Sequence, residues 1–332
     1  MISLNKWALK NPTVPSRPRI SHGTMPGSAA LKAHNMTTNA EPGLRATIRR
    51  FWQQSYGPDW LSLLLLALAN LAVGLIEPFQ RMFSLDDRTL RFPHAEIERV
   101  PVPMLLVYSI ALPTLLIILS TLINPHKTRE QKLHQVHVSL LGLAISLMLT
   151  TFITDTVKNG YGRPRPDLIA RCKPTEGTPE HELVGVEVCT ERDYHTLYDG
   201  FRSFPSGHSS FSWSGLGFLS LFFFGQTRAF RPSSDMCRVV ISGLPSLGAL
   251  LITLSRTEDY RHDIYDVSTG SLIGASVAYW SYRRYFPPLT SSSCNSPLPP
   301  RGRGNEQTYS KTEFEMIPTR PSTPDLEMGQ RA

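Results

Sequence analysis

The chain has 332 residues, a formal net charge of +7 and four cysteines. That length admits one large domain or two ordinary ones. Four cysteines without a Cys-x-x-Cys pair exclude a disulfide scaffold and argue against thiolate zinc or redox chemistry. The positive balance fits anionic lipid or a phosphorylated substrate, whereas the lack of a long basic run argues against nucleic acid as a partner.

Apolar residues concentrate between Leu61 and Tyr282, while both ends are rich in Pro, Ser, Thr and charge. Residues 1–50 are expected to form a disordered basic tail, with Lys6, Lys10, Arg17, Arg19, Lys32 and Arg45 against the single acid Glu41 up to residue 47. A transit peptide has the same composition, no cleavable secretory pattern precedes it, and Met36 is an alternative start.

The first apolar run, WLSLLLLALANLAVGLI from Trp60 to Ile76, carries no charge and is long enough to cross hydrocarbon as a helix. It predicts a span at about 60–77, and two further long runs predict spans at 102–123 and 136–154. Pro103 and Pro113 fall within the second, a tolerable feature where neighbouring helices re-satisfy the backbone. Three shorter runs, at 208–225, 238–254 and 264–282, would each read alone as a buried core helix. Beside three longer ones they complete an economical count of six. The expectation is an all-α integral membrane protein: a six-transmembrane-helix bundle over 51–285, followed by a Pro- and Ser-rich tail at 286–332 that cannot build a core. Ser296 and Thr323, each before a proline, are candidate phosphorylation sites in that tail.

Lys and Arg in short loops orient such a bundle. They cluster at Arg45, Arg49 and Arg50, at Lys127, Arg129 and Lys132, at Arg228, Arg231 and Arg238, and at Arg283 and Arg284. Those segments, and with them both termini, are predicted to be cytosolic, which leaves 77–101, 155–208 and 255–263 on the opposite face.

Nearly all the unusual polar residues of the apolar region lie in the second and third of those outside segments. Lys158-Asn-Gly-Tyr-Gly-Arg-Pro-Arg165-Pro166 cannot be a regular helix and, taken alone, reads as a basic loop beside lipid headgroups. Phe204-Pro205-Ser206-Gly207-His208 stands immediately before an apolar run, so it places unpaired N–H groups at a helix N-terminus; this is either an anion site or a capped helix start with an incidental histidine. Ser255-Arg256 through His262 to Asp266 sets a histidine and a carboxylate four apart. On a helix that spacing lets the carboxylate orient one ring nitrogen and leave the other as a nucleophile. Phosphoryl transfer needs cations on the equatorial oxygens, an in-line nucleophile and an acid for the leaving group. Lys158, Arg165 and Arg256 can supply the first, His262 the second and His208 the third. A neutral His262 near the ordinary imidazole pKa of about 6.5, paired with a protonated His208, predicts a bell-shaped rate profile.

Together KNGYGRPRPD, FPSGHSSFSW and SRTEDYRHD resemble the type 2 phosphatidic acid phosphatase family, most closely its lipid phosphate phosphatase branch and the fungal diacylglycerol pyrophosphate phosphatases within it. The resemblance covers roughly 50–285 and neither tail. It implies a six-helix bundle and a phosphohistidine on His262 oriented by Asp266. It further implies acid catalysis by His208 and phosphate contacts from Lys158, Arg165, Ser206, Gly207, His208 and Arg256. No metal or other cofactor is implied, magnesium included, and the implied substrates are membrane phospholipids: phosphatidate, lysophosphatidate and diacylglycerol pyrophosphate. The fungal likeness favours the vacuolar membrane, with endoplasmic reticulum, Golgi and plasma membrane as alternatives.

A sphingoid-base phosphate phosphatase would share this cradle. A soluble vanadate-dependent haloperoxidase would not need six apolar spans, and a lipid-binding or transport protein would not need His262 and Asp266. Spacing from Lys158 gives the signature role to Arg165, which leaves Arg163 as an auxiliary cation without an assigned aim. Cys172 and Cys189 share an outside loop as either a disulfide or two free thiols, and the acceptor pattern Asn35-Met-Thr falls on the cytosolic side.

Overall fold

The computed structural model describes residues 48, 51–52, 54–232 and 234–300. The basic tail, Met36, the Asn35 acceptor pattern and Thr323 lie outside the described residues. Helices occupy all six predicted positions: α1 (Gly57–Gly74), α2 (Val102–Ile123), α3 (Arg129–Tyr161), α4 (Gly207–Thr227), α5 (Met236–Glu258) and α6 (Ile264–Tyr285).

Among the described residues four of these, α1, α2, α3 and α5, are long and apolar enough to cross a membrane. The two shorter runs that form α4 and α6 differ for a reason visible in the packing. α4 lies at the centre of the bundle, against α6, α5 and α3. Its serines are buried, including Ser209, Ser210, Ser212, Ser214 and Ser220. A helix wrapped by protein needs no lipid-facing apolar surface, so its sequence can be small and polar. On α1 and α5, by contrast, Leu61, Leu64, Leu65, Leu68, Leu244, Leu247 and Leu251 are exposed. An apolar belt of this extent is unfavourable against water and natural against hydrocarbon.

Local chemistry sets the helix ends. Thr128 and Gln131 form a reciprocal capping box at the start of α3, and Asp263 with Asp266 does the same for α6. α3 stops at Gly162, whose φ of 59° needs glycine. Pro113 in α2 lacks an N–H, and the turn just before it, Val107–Ala111, is widened to a π-turn. Gly270 and Gly274 let α6 press onto α4: a Cβ on Gly270 would lie 2.5 Å from the Ser206 carbonyl oxygen, and one on Gly274 would lie 2.2 Å from that of Ser210.

The segments predicted to lie outside are more ordered than loops. Phe83–Ser84 pairs antiparallel with Leu183–Val184, and the short helices Leu168–Cys172 and Tyr194–Asp199 enclose a small core of Phe83, Leu90, Leu168, Leu197 and Phe201. Cys172 and Cys189 are joined as a disulfide across a sequence separation of 17. A loop of that length removes roughly 3 kcal/mol of denatured-state entropy. The Cys172→Ser/Cys189→Ser double variant is therefore expected to melt several degrees lower, and non-reducing peptide mapping of the parent chain to yield the crosslinked pair.

At the opposite end the chain stays packed beyond 285, where the sequence placed the start of a structureless tail. Cys294 is fully buried, its Sγ 3.5 Å from the Gly225 carbonyl oxygen. Lys127 Nζ donates to the Asn295 carbonyl oxygen at 2.6 Å. The prolines at 287 and 288 stop α6, and the following turns satisfy their backbone against the bundle. Ser296 lies in this docked segment.

Candidate active site

The three outside segments converge at one end of the bundle, and the cradle they form is assembled from helix ends. Lys158 sits in the last turn of α3, where its Nζ donates to the Arg202 carbonyl oxygen at 2.8 Å. Arg165 follows the Gly162 turn and is held by Asp199 through Nε to the carbonyl oxygen (2.8 Å) and Nη2 to the carboxylate (2.7 Å). Ser206 is the N-cap of α4, and its N–H donates to the Asp266 carbonyl oxygen at 3.0 Å. The position a Gly207 Cβ would take faces Lys158 Cε at 3.5 Å, so Gly207 leaves the backbone open toward the lysine. Arg256, in the last turn of α5, is only 1% exposed.

Both histidines come to this cradle. His208, in the first turn of α4, has Nε2 3.0 Å from the Val100 carbonyl oxygen. A carbonyl only accepts, so Nε2 carries a proton, which both the neutral ring and the imidazolium can place there. His262 is 4% exposed and precedes the N-cap of α6, with Asp266 in the first turn. Burial first, and then the charges of Arg165, Lys158 and Arg256, hold the His262 imidazole well below its ordinary pKa. It is therefore neutral over a wider range than the unperturbed value suggested.

The relation between His262 and Asp266 differs from the simple helical pair expected from spacing. The helix begins only at Ile264, and His262 Nδ1 lies 3.5 Å from Asp266 Oδ2 without a hydrogen bond. The carboxylate is engaged elsewhere: Oδ1 accepts from Arg163 Nη1 at 3.0 Å, while Oδ2 accepts from Ser203 Oγ at 2.5 Å and from the Asp263 N–H at 3.2 Å. Arg163 also pairs with Asp263 through Nη2. Nδ1 faces the Asp266 side, so Nε2 is the ring nitrogen directed away from it.

Glu98 is the partner the sequence did not reveal. From the first outside segment its carboxylate reaches Arg256 Nη1 (3.1 Å) and Arg261 Nη2 (2.8 Å), and it lies 3.9 Å from His208 Nε2. It stands 158 positions from Arg256, so no local pattern marks it. Asp199 is surrounded by Arg165, Arg171 and Arg261. Burial opposes its ionisation, yet these guanidiniums and Lys158 hold the carboxyl well below the usual carboxylate range.

The family profile described as PAP2 superfamily matches residues 139–288, which contain every one of these signature positions. Diacylglycerol pyrophosphate phosphatase 1 of Saccharomyces cerevisiae is 43% identical over 244 residues, covering 73% of this chain and 81% of that protein. The chain belongs to the PAP2 superfamily. Probable diacylglycerol pyrophosphate phosphatase 1 of Schizosaccharomyces pombe is 41% identical across 73% of this chain and 85% of its own length. Lipid phosphate phosphatase 2 of Arabidopsis thaliana is 36% identical across 78% and 83%. No solved structure matches the chain.

In this PAP2 chain all eight residues singled out from the sequence, Lys158, Arg165, Ser206, Gly207, His208, Arg256, His262 and Asp266, lie at the same end of the bundle. Arg163, an auxiliary cation whose aim the sequence left open, is now placed on Asp263 and Asp266. Of the residues that reasoning passed over, Ser203 and Asp199 had only proximity to the Pro-Ser-Gly-His segment.

Proposed function

We propose that this chain is a magnesium-independent lipid phosphate phosphatase. It hydrolyses phosphatidate, lysophosphatidate and diacylglycerol pyrophosphate through a phosphohistidine on His262. The observation that carries the reading is the meeting of a neutral, buried His262 with Lys158, Arg165, Arg256 and the N-terminus of α4 in one cradle. The names of the similar fungal and plant proteins agree with it.

The chemistry follows from the positions. A phosphate entering the cradle meets the three cations, the Ser206 hydroxyl and the N–H groups at Gly207 and His208, which stabilise charge on its equatorial oxygens. His262 Nε2 attacks phosphorus in line as the bond to the lipid oxygen breaks, and His208, an imidazolium once the phosphate anion fills the cradle, turns its Nε2 proton from the Val100 carbonyl to that oxygen and is left neutral. A water then attacks the phosphohistidine, with His208 accepting its proton and His262 leaving as neutral imidazole. Asp266 positions the ring from the Nδ1 side. Guanidinium and ammonium groups take the role that a divalent cation plays elsewhere in phosphoryl transfer.

The same reading has α4 and α6 crossing the bilayer with the four apolar helices, six spans in all, with both termini cytosolic and the cradle on the lumenal or extracellular face. The vacuolar membrane is the favoured site. Purified protein assayed on a panel of lipid phosphates is expected to release phosphate from glycerolipid substrates equally with and without a chelator. Activity confined to sphingoid-base phosphates, or lost on chelation, overturns the assignment.

A further inference from the structure

Beside the cradle lies a cavity of about 620 Å³ whose wall includes Glu98, Arg171, Asp199, Arg202 and Arg261. Its wall is bonded to the site: Glu98 bridges to Arg256, Asp199 pairs with Arg165, and the Arg202 carbonyl holds Lys158. Its far wall is the outer end of α1, from Gly74 to Pro78, where the lipid surface would begin.

The cations of this wall are incompletely partnered. Arg171 is 2% exposed and Arg261 7% exposed, yet Arg171 Nη2 and Arg261 Nε have no hydrogen-bond partner. Arg202 Nε is buried and equally unpartnered. Asp155 is within electrostatic range of Arg202, but no described carboxylate is in ion-pair contact with it. Three guanidinium side chains that line one space and keep unpaired donors supply the chemistry that holds an anion there. A phosphate monoester occupies the cradle alone and leaves these donors unused.

We propose that this cavity is the subsite for the second, lipid-attached phosphate of a lipid diphosphate, with Arg202 and Arg261 as its principal ligands. The inference rests on the phosphatase reading above. The terminal phosphorus sits in the cradle, forms its bond to His262 Nε2 and breaks its bond to the bridging oxygen. That oxygen stays with the departing lipid monophosphate, where His208 protonates it and Arg202 and Arg261 balance the charge of the leaving phosphate. Two phosphates sharing one bridging oxygen require adjoining subsites, which the shared Glu98 and Asp199 walls provide. Arg261 is also tied to Glu98 and next to His262, so Arg202 is the cleaner position to test.

The experiment compares kcat/KM of the full-length parent, Arg202→Gln and Arg202→Lys on diacylglycerol pyrophosphate and phosphatidate, and in separate arms on an isoprenyl diphosphate and its monophosphate. Arg202→Gln is expected to lower the diphosphate-to-monophosphate ratio tenfold or more, with Arg202→Lys intermediate. Inhibition by methylenediphosphonate is expected to weaken in parallel while inhibition by orthophosphate does not. A drop in one arm only identifies the lipid source and supports the subsite. An unchanged ratio in both arms overturns it, and if Arg202→Gln does not fold, the Arg202→Lys ratio decides. His262→Ala run alongside separates the two conclusions: an inactive His262→Ala with an unchanged Arg202→Gln ratio removes only the subsite, whereas an active His262→Ala removes the phosphatase mechanism itself.

Discussion

His262→Ala, purified at normal folding yield, is expected to lose at least about 10⁴-fold in turnover on every lipid phosphate. His208 cannot replace it, because its Nε2 carries a proton directed at the Val100 carbonyl. What remains after the substitution is phosphate binding by Lys158, Arg165 and Arg256 with water as a poor nucleophile. The parent protein, quenched in base during turnover of substrate labelled in the terminal phosphate, should retain label on a peptide containing His262, and the variant should not. The pH dependence carries the same assignment. The reactive form is the neutral ring, and its pKa is lowered, so the neutral form persists as pH falls and activity is lost only on passing below that lowered value. The acid limb of kcat/KM should accordingly lie below the ordinary imidazole value of about 6.5. Turnover retained by the alanine variant would exclude the covalent route.

Arg163→Ala is expected to have the next largest effect, on rate and stability together. Asp266 is fully buried, and Arg163 is the one cation in ion-pair contact with it among the described residues apart from His262. Removing one partner of a buried pair leaves an uncompensated charge; with Arg163 itself 30% exposed, the loss should fall near the low end of the usual range, about 3 kcal/mol. Once freed, the carboxylate either protonates or turns, and the His262 ring loses its reference on the Nδ1 side. A misplacement of that kind costs about 10²-fold in kcat. Arg163→Lys keeps the charge without the planar fork that spans Asp263 and Asp266, so it should recover only part of both losses. Unchanged melting temperature and unchanged kcat in Arg163→Ala would show that the fork is incidental.

These two residues also mark how far the sequence was legible. His262 announced itself because its partners Arg256 and Asp266 sit within one short segment and because charge in the loops had already put Lys158, Arg165 and His208 on its side. Arg163 lies in an equally visible motif, yet its aim depends on the turn at Gly162, which directs it toward the start of α6. Glu98 and Arg202 were illegible for another reason: their contacts join segments far apart in the chain, and charged residues in a loop look alike until the loop is folded. The apolar runs located the six long helices. They did not distinguish those facing lipid from α4, because burial by protein and burial by hydrocarbon both favour the absence of charge, and the serines of α4 become intelligible only once its neighbours surround it.

The close seat of α6 on α4 at Gly270 and Gly274 has a mechanical consequence. His208 and His262 stand at the N-termini of these two helices, whose ends are joined by the hydrogen bond from the Ser206 N–H to the Asp266 carbonyl oxygen. Bilayers differ in thickness, and apolar helices accommodate such differences by changing tilt. α1 carries exposed leucines and none of the cradle residues, so it is free to tilt, while the pair bearing the two imidazoles is tied together at its seat. The spacing of the two imidazoles is thereby set by the α4–α6 seat and not by the helix that meets the lipid.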